Sequence, residues 1–133
     1  MISRLVCADT NFLIALERNE ADALAKLKEL EKSGEMVYIT SVNVAEYFGG
    51  AYGAKNKIKA LKDAKEMLDR FSILNLDYES ARIWGELSSS LKSGTIGDRD
   101  LFILSISLAN KQVLLTKNKK HFERVAGLRV ETW

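Results

Sequence analysis

Four acidic residues stand where an apolar run gives way to a polar one. Asp9 follows directly on Leu5-Val6-Cys7-Ala8. Glu46 lies about one turn into a helical segment that follows Met36–Thr40, and Asp98 and Asp100 flank Arg99 ahead of the apolar Leu101-Phe102-Ile103. Thr116 and Asn118 close another short apolar run, Val113–Leu115. Each has a plain structural reading. Asp9 and Asp98 are good helix N-caps, Asp100 suits the positive end of a helix dipole, and Thr116 and Asn118 are ordinary turn residues. Glu46 has apolar neighbours on both sides in Val42-Asn43-Val44-Ala45-Glu46-Tyr47-Phe48. An unpaired carboxylate there costs about several kcal/mol or takes up a proton, unless a solvent-facing stripe runs through it.

Taken together, these residues suggest chemistry. Carboxylates gathered at one place repel one another unless a divalent cation sits among them. Oxygen-only donors select hard cations, Mg²⁺ or Mn²⁺. Such a cation polarises a phosphate and acidifies water for in-line attack. Other chemistries lack their residues. One cysteine and one histidine offer no zinc cluster and no Ser-His-Asp signature. Neither a phosphate loop ending in Gly-Lys nor a dinucleotide-binding glycine fingerprint is present.

Convergence of these residues needs a scaffold, and the sequence alternates in type. Ile2–Ala8, which carries the apolar run Leu5–Ala8, and the short apolar runs Met36–Thr40, Phe71–Leu76, Val113–Thr116 and Leu128–Glu131 read as strands. Helical segments run over 11–18, 20–33 with Gly34 closing it, 41–52 with Ser41 as N-cap, 56–70, and 78–93 capped by Asp77. A loop over 94–97 leads to a strongly apolar helix over 98–111, and a helical turn covers 121–125. Strands this short and continuously apolar are buried on both faces, as in a parallel sheet covered by helices. The expected fold is a three-layer α/β/α sandwich with a central, mostly parallel sheet. In open sheets of that kind ligands bind beyond the carboxyl ends of the strands, the edge where the acids would meet.

Composition bounds the rest. A chain of 133 residues is expected to form one domain, 1–133, and its 47% apolar content excludes disorder. Lone Cys7 excludes an internal disulfide and reads as a small buried hydrophobe in a reducing compartment. Four apolar or small residues between Arg4 and Asp9 are too few for a secretory signal, and no run approaches the roughly 18 apolar residues of a membrane span. A soluble, cytoplasmic protein is expected. The net charge of +2 implies no polyanion partner by itself. Two basic clusters, Lys55, Lys57, Lys59, Lys62, Lys65 and Lys117, Lys119, Lys120, Arg124, read as solvated surface or as phosphate contacts.

Order and spacing of several pieces carry a resemblance. These are Ala8-Asp9-Thr10-Asn11, Ser41-Val42-Asn43-Val44-Ala45-Glu46, Gly94 through Ile103, Leu115-Thr116-Lys117-Asn118, and the ending from His121 to Trp133. In these the chain resembles the PIN-domain ribonucleases, and within them the VapC-type toxins of toxin–antitoxin pairs, over nearly its whole length. The resemblance implies a metal-dependent endoribonuclease. Asp9, Glu46 and Asp100 would match the acidic ligands, with Asp98 an extra acid. Asn118 stands at a fourth acidic position, where many members have Asp. Its amide can hold a water or a phosphate oxygen but brings no charge. Thr116 and Asn11 would hydrogen-bond ligand carboxylates, and Arg99 would contact the scissile phosphate or neutralise its neighbours. The resemblance further implies an RNA substrate, a homodimer, and a VapB-type antitoxin laid in a groove. Candidate groove residues are Phe12, Leu13, Leu16, Tyr47, Phe48 and Tyr52, which also read as core. His121, Trp84 and Trp133 read as structural residues.

Two alternatives come from other classes. One is a PIN fold that binds RNA or protein without cutting, for which Asn118 is the only sign. The other is a phospho-receiver domain with Asp77 as phospho-acceptor and Thr116 and Lys117 as its switch pair.

Overall fold

The structure is a computed structural model and describes residues 5–91 and 96–133. Its elements are β1 Leu5–Ala8, α1 Thr10–Glu17, α2 Ala21–Lys32, β2 Met36–Thr40, α3 Ser41–Tyr52, α4 Lys57–Leu68, β3 Ser72–Leu74, α5 Tyr78–Ser90, α6 Asp98–Ala109, β4 Val113–Leu115, α7 Lys119–Phe122 and β5 Arg129–Glu131. Positions 2–4 of the expected first strand, 92–93 of the expected helix 78–93 and 94–95 of the expected loop lie outside the described residues.

Five parallel strands form one sheet in the order β3-β2-β1-β4-β5. Side chains alternate across it. Val6, Ala8, Val113 and Leu115 join a core with α1 to α4, around Phe12, Leu13, Leu27 and Leu30. Leu114 and Val130 point the other way, into a core with α5, α6 and α7 around Trp84, Leu104 and Phe122. Helices therefore cover both faces, which is why the inner strands β1 and β4 carry no polar residue, whereas the edge strand β5 holds Arg129 and Glu131. The three-layer sandwich expected from the sequence is the observed fold.

From β1 the chain winds outward through β2 to β3, then returns so that β4 lies on the opposite side of β1. The carboxyl ends of β1 and β4 thus border a topological switch point, the usual ligand crevice of an open α/β sheet. A receiver-type sheet instead has its third strand across β1 from the second. Here β3 is the far edge strand, and Asp77 serves as the N-cap of α5, so the receiver reading is excluded.

Two caps differ from the sequence reading. Thr40, not Ser41, caps α3: its hydroxyl accepts from the Asn43 N–H, and the Asn43 carboxamide accepts from the Thr40 N–H. The last strand residue thereby doubles as the helix start. Gly97, not Asp98, holds the cap position of α6, so Asp98 becomes its first helical residue. Gly34 ends α2 as expected, at φ 76°, where the absent Cβ removes the left-handed strain.

Candidate active site

Asp9 leaves β1 at the switch point and caps α1. Its Oδ1 accepts from the Asn11 main-chain N–H at 2.7 Å. Its Oδ2 accepts from the Thr116 hydroxyl, at the end of β4, at 2.5 Å. Thr116 is fully buried and its Oγ1 in turn accepts from the Asn118 N–H at 3.0 Å. One threonine therefore ties the ends of β1 and β4 together through the carboxylate. Asp9 is only 6% exposed. Burial pushes its carboxyl above the usual 3.8 and the Asp100 charge adds to the rise, while the hydrogen bonds from Thr116 and Asn11 act the other way. The negative charge here is only partly compensated by the protein.

Glu46 projects from α3 and is held by a second polar chain. Asn43 is fully buried, and its Oδ1 accepts from the Thr40 N–H and hydroxyl at 2.7 Å each. Its Nδ2 donates to Thr10 Oγ1 at 2.8 Å, and that hydroxyl donates to Glu46 Oε1 at 2.8 Å. Every donor in the chain has an acceptor, so the carboxylate is aimed from the β2 end through α1. Arg99 Nη1 approaches Glu46 Oε2 at 3.4 Å from α6, with the arginine side chain 74% exposed. Glu46 is thus neither an unpaired core acid nor on a freely solvated stripe.

The α6 acids complete the edge. Glu46, Asp98, Arg99 and Asp100 line a cleft of about 430 Å³. Asp9 and Asp100 are close enough for their charges to interact. Among the described residues, no three Asp, Glu, His or Cys side chains come close enough to form a ready metal cage. The donors nonetheless fit a hard cation, being all oxygen and including one buried, under-compensated carboxylate. Mg²⁺ commonly takes only one or two carboxylates and keeps several waters.

The remaining sequence candidates divide. Asn11 meets Asp9 through its backbone rather than the expected side chain. The exposed Asn118 likewise joins by its N–H, and its side chain caps nothing in α7. Lys117 turns away, to Asp22 Oδ2 at 2.9 Å and to the carbonyl and ring of Trp133. Phe12, Leu13, Leu16 and Tyr47 are core residues, Phe48 is partly buried and Tyr52 is exposed. His121 packs edge-on against Phe122, Trp84 stacks on Phe102, and Trp133 packs on Phe12. Cys7 is buried, its thiol pushed up to about 12 by burial. Thr10, Thr40 and Asn43 were not singled out for the site by sequence. A threonine followed three residues later by an amide side chain at a helix start was the available signal.

The family model described as PIN domain matches residues 6–128. The chain belongs to the PIN-domain family. Among curated relatives, ribonuclease VapC1 of Haemophilus influenzae strain R2866 is 26% identical over 127 residues, covering 94% of this chain and 95% of the relative. Ribonuclease VapC2 of Rickettsia felis is 29% identical with the same coverage. The tRNA(fMet)-specific endonuclease VapC of Shigella flexneri is 28% identical, again at that coverage. Among solved structures, a chain in VapBC2 from Rickettsia felis, bound to a DNA fragment from their promoter, superposes with a TM-score of 0.87 at 27% identity, covering 97% of this chain and 98% of that one. A chain in VapBC-1 from nontypeable Haemophilus influenzae gives 0.85 at 25% identity with the same coverage. The PIN fold of this chain therefore spans relatives nearly end to end.

Proposed function

We propose that this chain is a divalent-metal-dependent endoribonuclease, the toxin of a VapBC-type toxin–antitoxin pair, formed by a single PIN domain over residues 1–133. The observation that carries the reading is Asp9, a buried carboxylate at the sheet's switch point, tied to β4 by Thr116 and near enough to Asp100, which lines the acid cleft with Glu46 and Asp98, to feel its charge. Names of the relatives support ribonuclease activity and the solved VapBC chains support an antitoxin partner.

In this reading Asp9, Glu46 and Asp100 hold the cation, with Asp98 as an additional acid. When bound, Mg²⁺ or Mn²⁺ supplies Lewis-acid polarisation of the scissile phosphate and an acidified water. The chain's own residues do the rest. Thr116 and the Asn11 N–H orient Asp9, and the Asn43–Thr10 chain orients Glu46. Such outer hydrogen bonds fix the direction of a ligand carboxylate. Arg99 brings a positive charge to the mouth of the acid cleft, where an RNA phosphate must enter against like charge. Asn118 offers its amide to a water or phosphate oxygen without adding charge. A homodimer and a cytoplasmic setting complete the proposal; among the described residues no helix is long and apolar enough to cross a membrane.

Parallel assay of Asp9→Asn, Glu46→Gln, Asp100→Asn and Asp98→Asn on RNA tests these roles. The first three are expected to lose at least about a hundredfold in rate and Asp98→Asn less. Cutting at the wild-type rate by Asp9→Asn overturns the mechanism. A folded wild type that binds RNA without cutting it points to the non-catalytic PIN module.

A further inference from the structure

Beside the acid cleft lies a second opening that the phosphate chemistry does not use. Its volume is about 530 Å³, within the roughly 300–1,000 Å³ of small-ligand clefts. Val42, Ala45 and Leu76 give it a mostly apolar wall, and Ser41 also lines it. Gly49 and Gly50 also line it. Neither glycine is required by packing: a Cβ at either position would meet nothing within 4 Å, and neither has a positive φ. Each costs α3 about 1 kcal/mol of helix propensity relative to alanine. What their missing side chains leave is open space along the cleft.

Two residues belong to both openings. Glu46 and Arg99 line this cleft and the acid cleft alike. The two clefts therefore adjoin at Glu46 and Arg99, within reach of a nucleoside next to a phosphate held among the acids. We infer that the Val42–Ala45–Leu76 cleft is a nucleobase subsite, receiving one unstacked base next to the scissile phosphate and sorting RNA sites by that base. The inference rests on the ribonuclease reading and adds to it the source of cleavage preference. The chemistry matches. A flat ring with polar edges finds aliphatic surface for its face, a guanidinium plane at the border, and the Ser41 hydroxyl and Glu46 carboxylate for its edge. Single-stranded bases are commonly read in this way, splayed out and stacked against arginine. Arg99 is then the hinge between backbone and base recognition, released from Glu46 when RNA arrives.

Gly49 is the place to test it, because it lines this cleft, touches none of the acids' hydrogen bonds, and has open space where a Cβ would stand. Gly49→Leu fills the cleft, and Gly49→Ala serves as the control that strengthens the helix while filling little. The substrates are single-stranded oligoribonucleotides that the wild type cuts at one bond. They are compared with versions lacking the base on either side of that bond. Gly49→Leu is expected to melt no lower than wild type and to lose about tenfold to a hundredfold in kcat/KM on the intact oligomers. On the version lacking the recognised base it should cut as well as wild type does, and Gly49→Ala should stay close to wild type throughout.

Equal cutting of intact RNA by Gly49→Leu and wild type overturns the subsite and leaves the ribonuclease reading standing. So does an equal loss on intact and abasic RNA. A Gly49→Leu variant that changes oligomeric state while cutting normally assigns the cleft to a second copy of the chain, and one that loses only antitoxin binding assigns it to that partner. Either result overturns the base subsite. A wild type that cuts none of the oligomers or their parent RNA overturns the ribonuclease reading itself, and the subsite with it.

Discussion

Asp9 illustrates how a candidate site residue can look ordinary in a sequence. It is an N-cap, as its position before Thr10 suggested, and its carboxylate is also bonded to the end of β4. The second fact comes from Thr116, 107 residues away, and no local pattern could reveal it. Burial raises the Asp9 carboxyl above 3.8, so ionised Asp9 destabilises the metal-free fold at neutral pH. The sign follows from the raised value: the penalty is absent below the ordinary aspartate range and sets in as pH rises through the elevated value. Asp9→Asn keeps an acceptor for the Asn11 N–H. In chelator at pH 7 its melting temperature should equal or exceed that of wild type, with the difference vanishing toward pH 4; a clear loss of stability at pH 7 contradicts this. Thr116→Val is expected to act oppositely. It strands the Asn118 N–H and removes a bond to Asp9, costing about 1–3 kcal/mol in denaturant melts and about tenfold to a hundredfold in cleavage.

At the scale of elements, two helix caps with the same chemistry do different jobs. Thr40 and Asn43 close a capping box on α3, and Asp77 and Ser80 close one on α5. Asn43 alone carries its bonds onward to Thr10 and Glu46. Asn43→Ala should therefore lower both stability, by about 1–2 kcal/mol, and cleavage. Asp77→Ala should lower the melting temperature while leaving cleavage unchanged. The Ser80 N–H and hydroxyl hold the Asp77 carboxyl below 3.8, so its contribution persists above pH 4 and is lost as pH falls below it. Equal cleavage by Asn43→Ala and wild type contradicts the aiming role given to Asn43. The capping residues themselves were only half legible. Asp77 stands alone before a polar turn, whereas Thr40 reads equally well as a strand end, and its β-branched side chain favours that reading. Gly97 precedes an aspartate that is the better cap by type, yet the helix begins with Asp98.

For the whole molecule, the alternation of short apolar runs with amphipathic segments was enough to reach a parallel sheet covered on both faces. Strand order was not in that pattern. It depends on β4 returning across β1, and that return puts Asp9 and Thr116 at one point and leaves β3, which precedes Asp77, at the far edge of the sheet. The acids' convergence on the sheet edge was legible because strand ends and helix starts fall on one edge of such a fold. The finer arrangement, with Arg99 on Glu46 and two clefts sharing both residues, depends on how α3 and α6 approach each other. No spacing within either helix encodes that.

Whether the acidic edge cuts RNA with a divalent cation, as proposed, is decided by cleavage of a mixed RNA pool by the purified, antitoxin-free chain, with Mg²⁺ or Mn²⁺ and again with excess chelator. Internal cuts that appear with metal and disappear with chelator are the predicted result. Cutting that persists undiminished in chelator, or no cutting by folded, metal-supplied protein, contradicts the account.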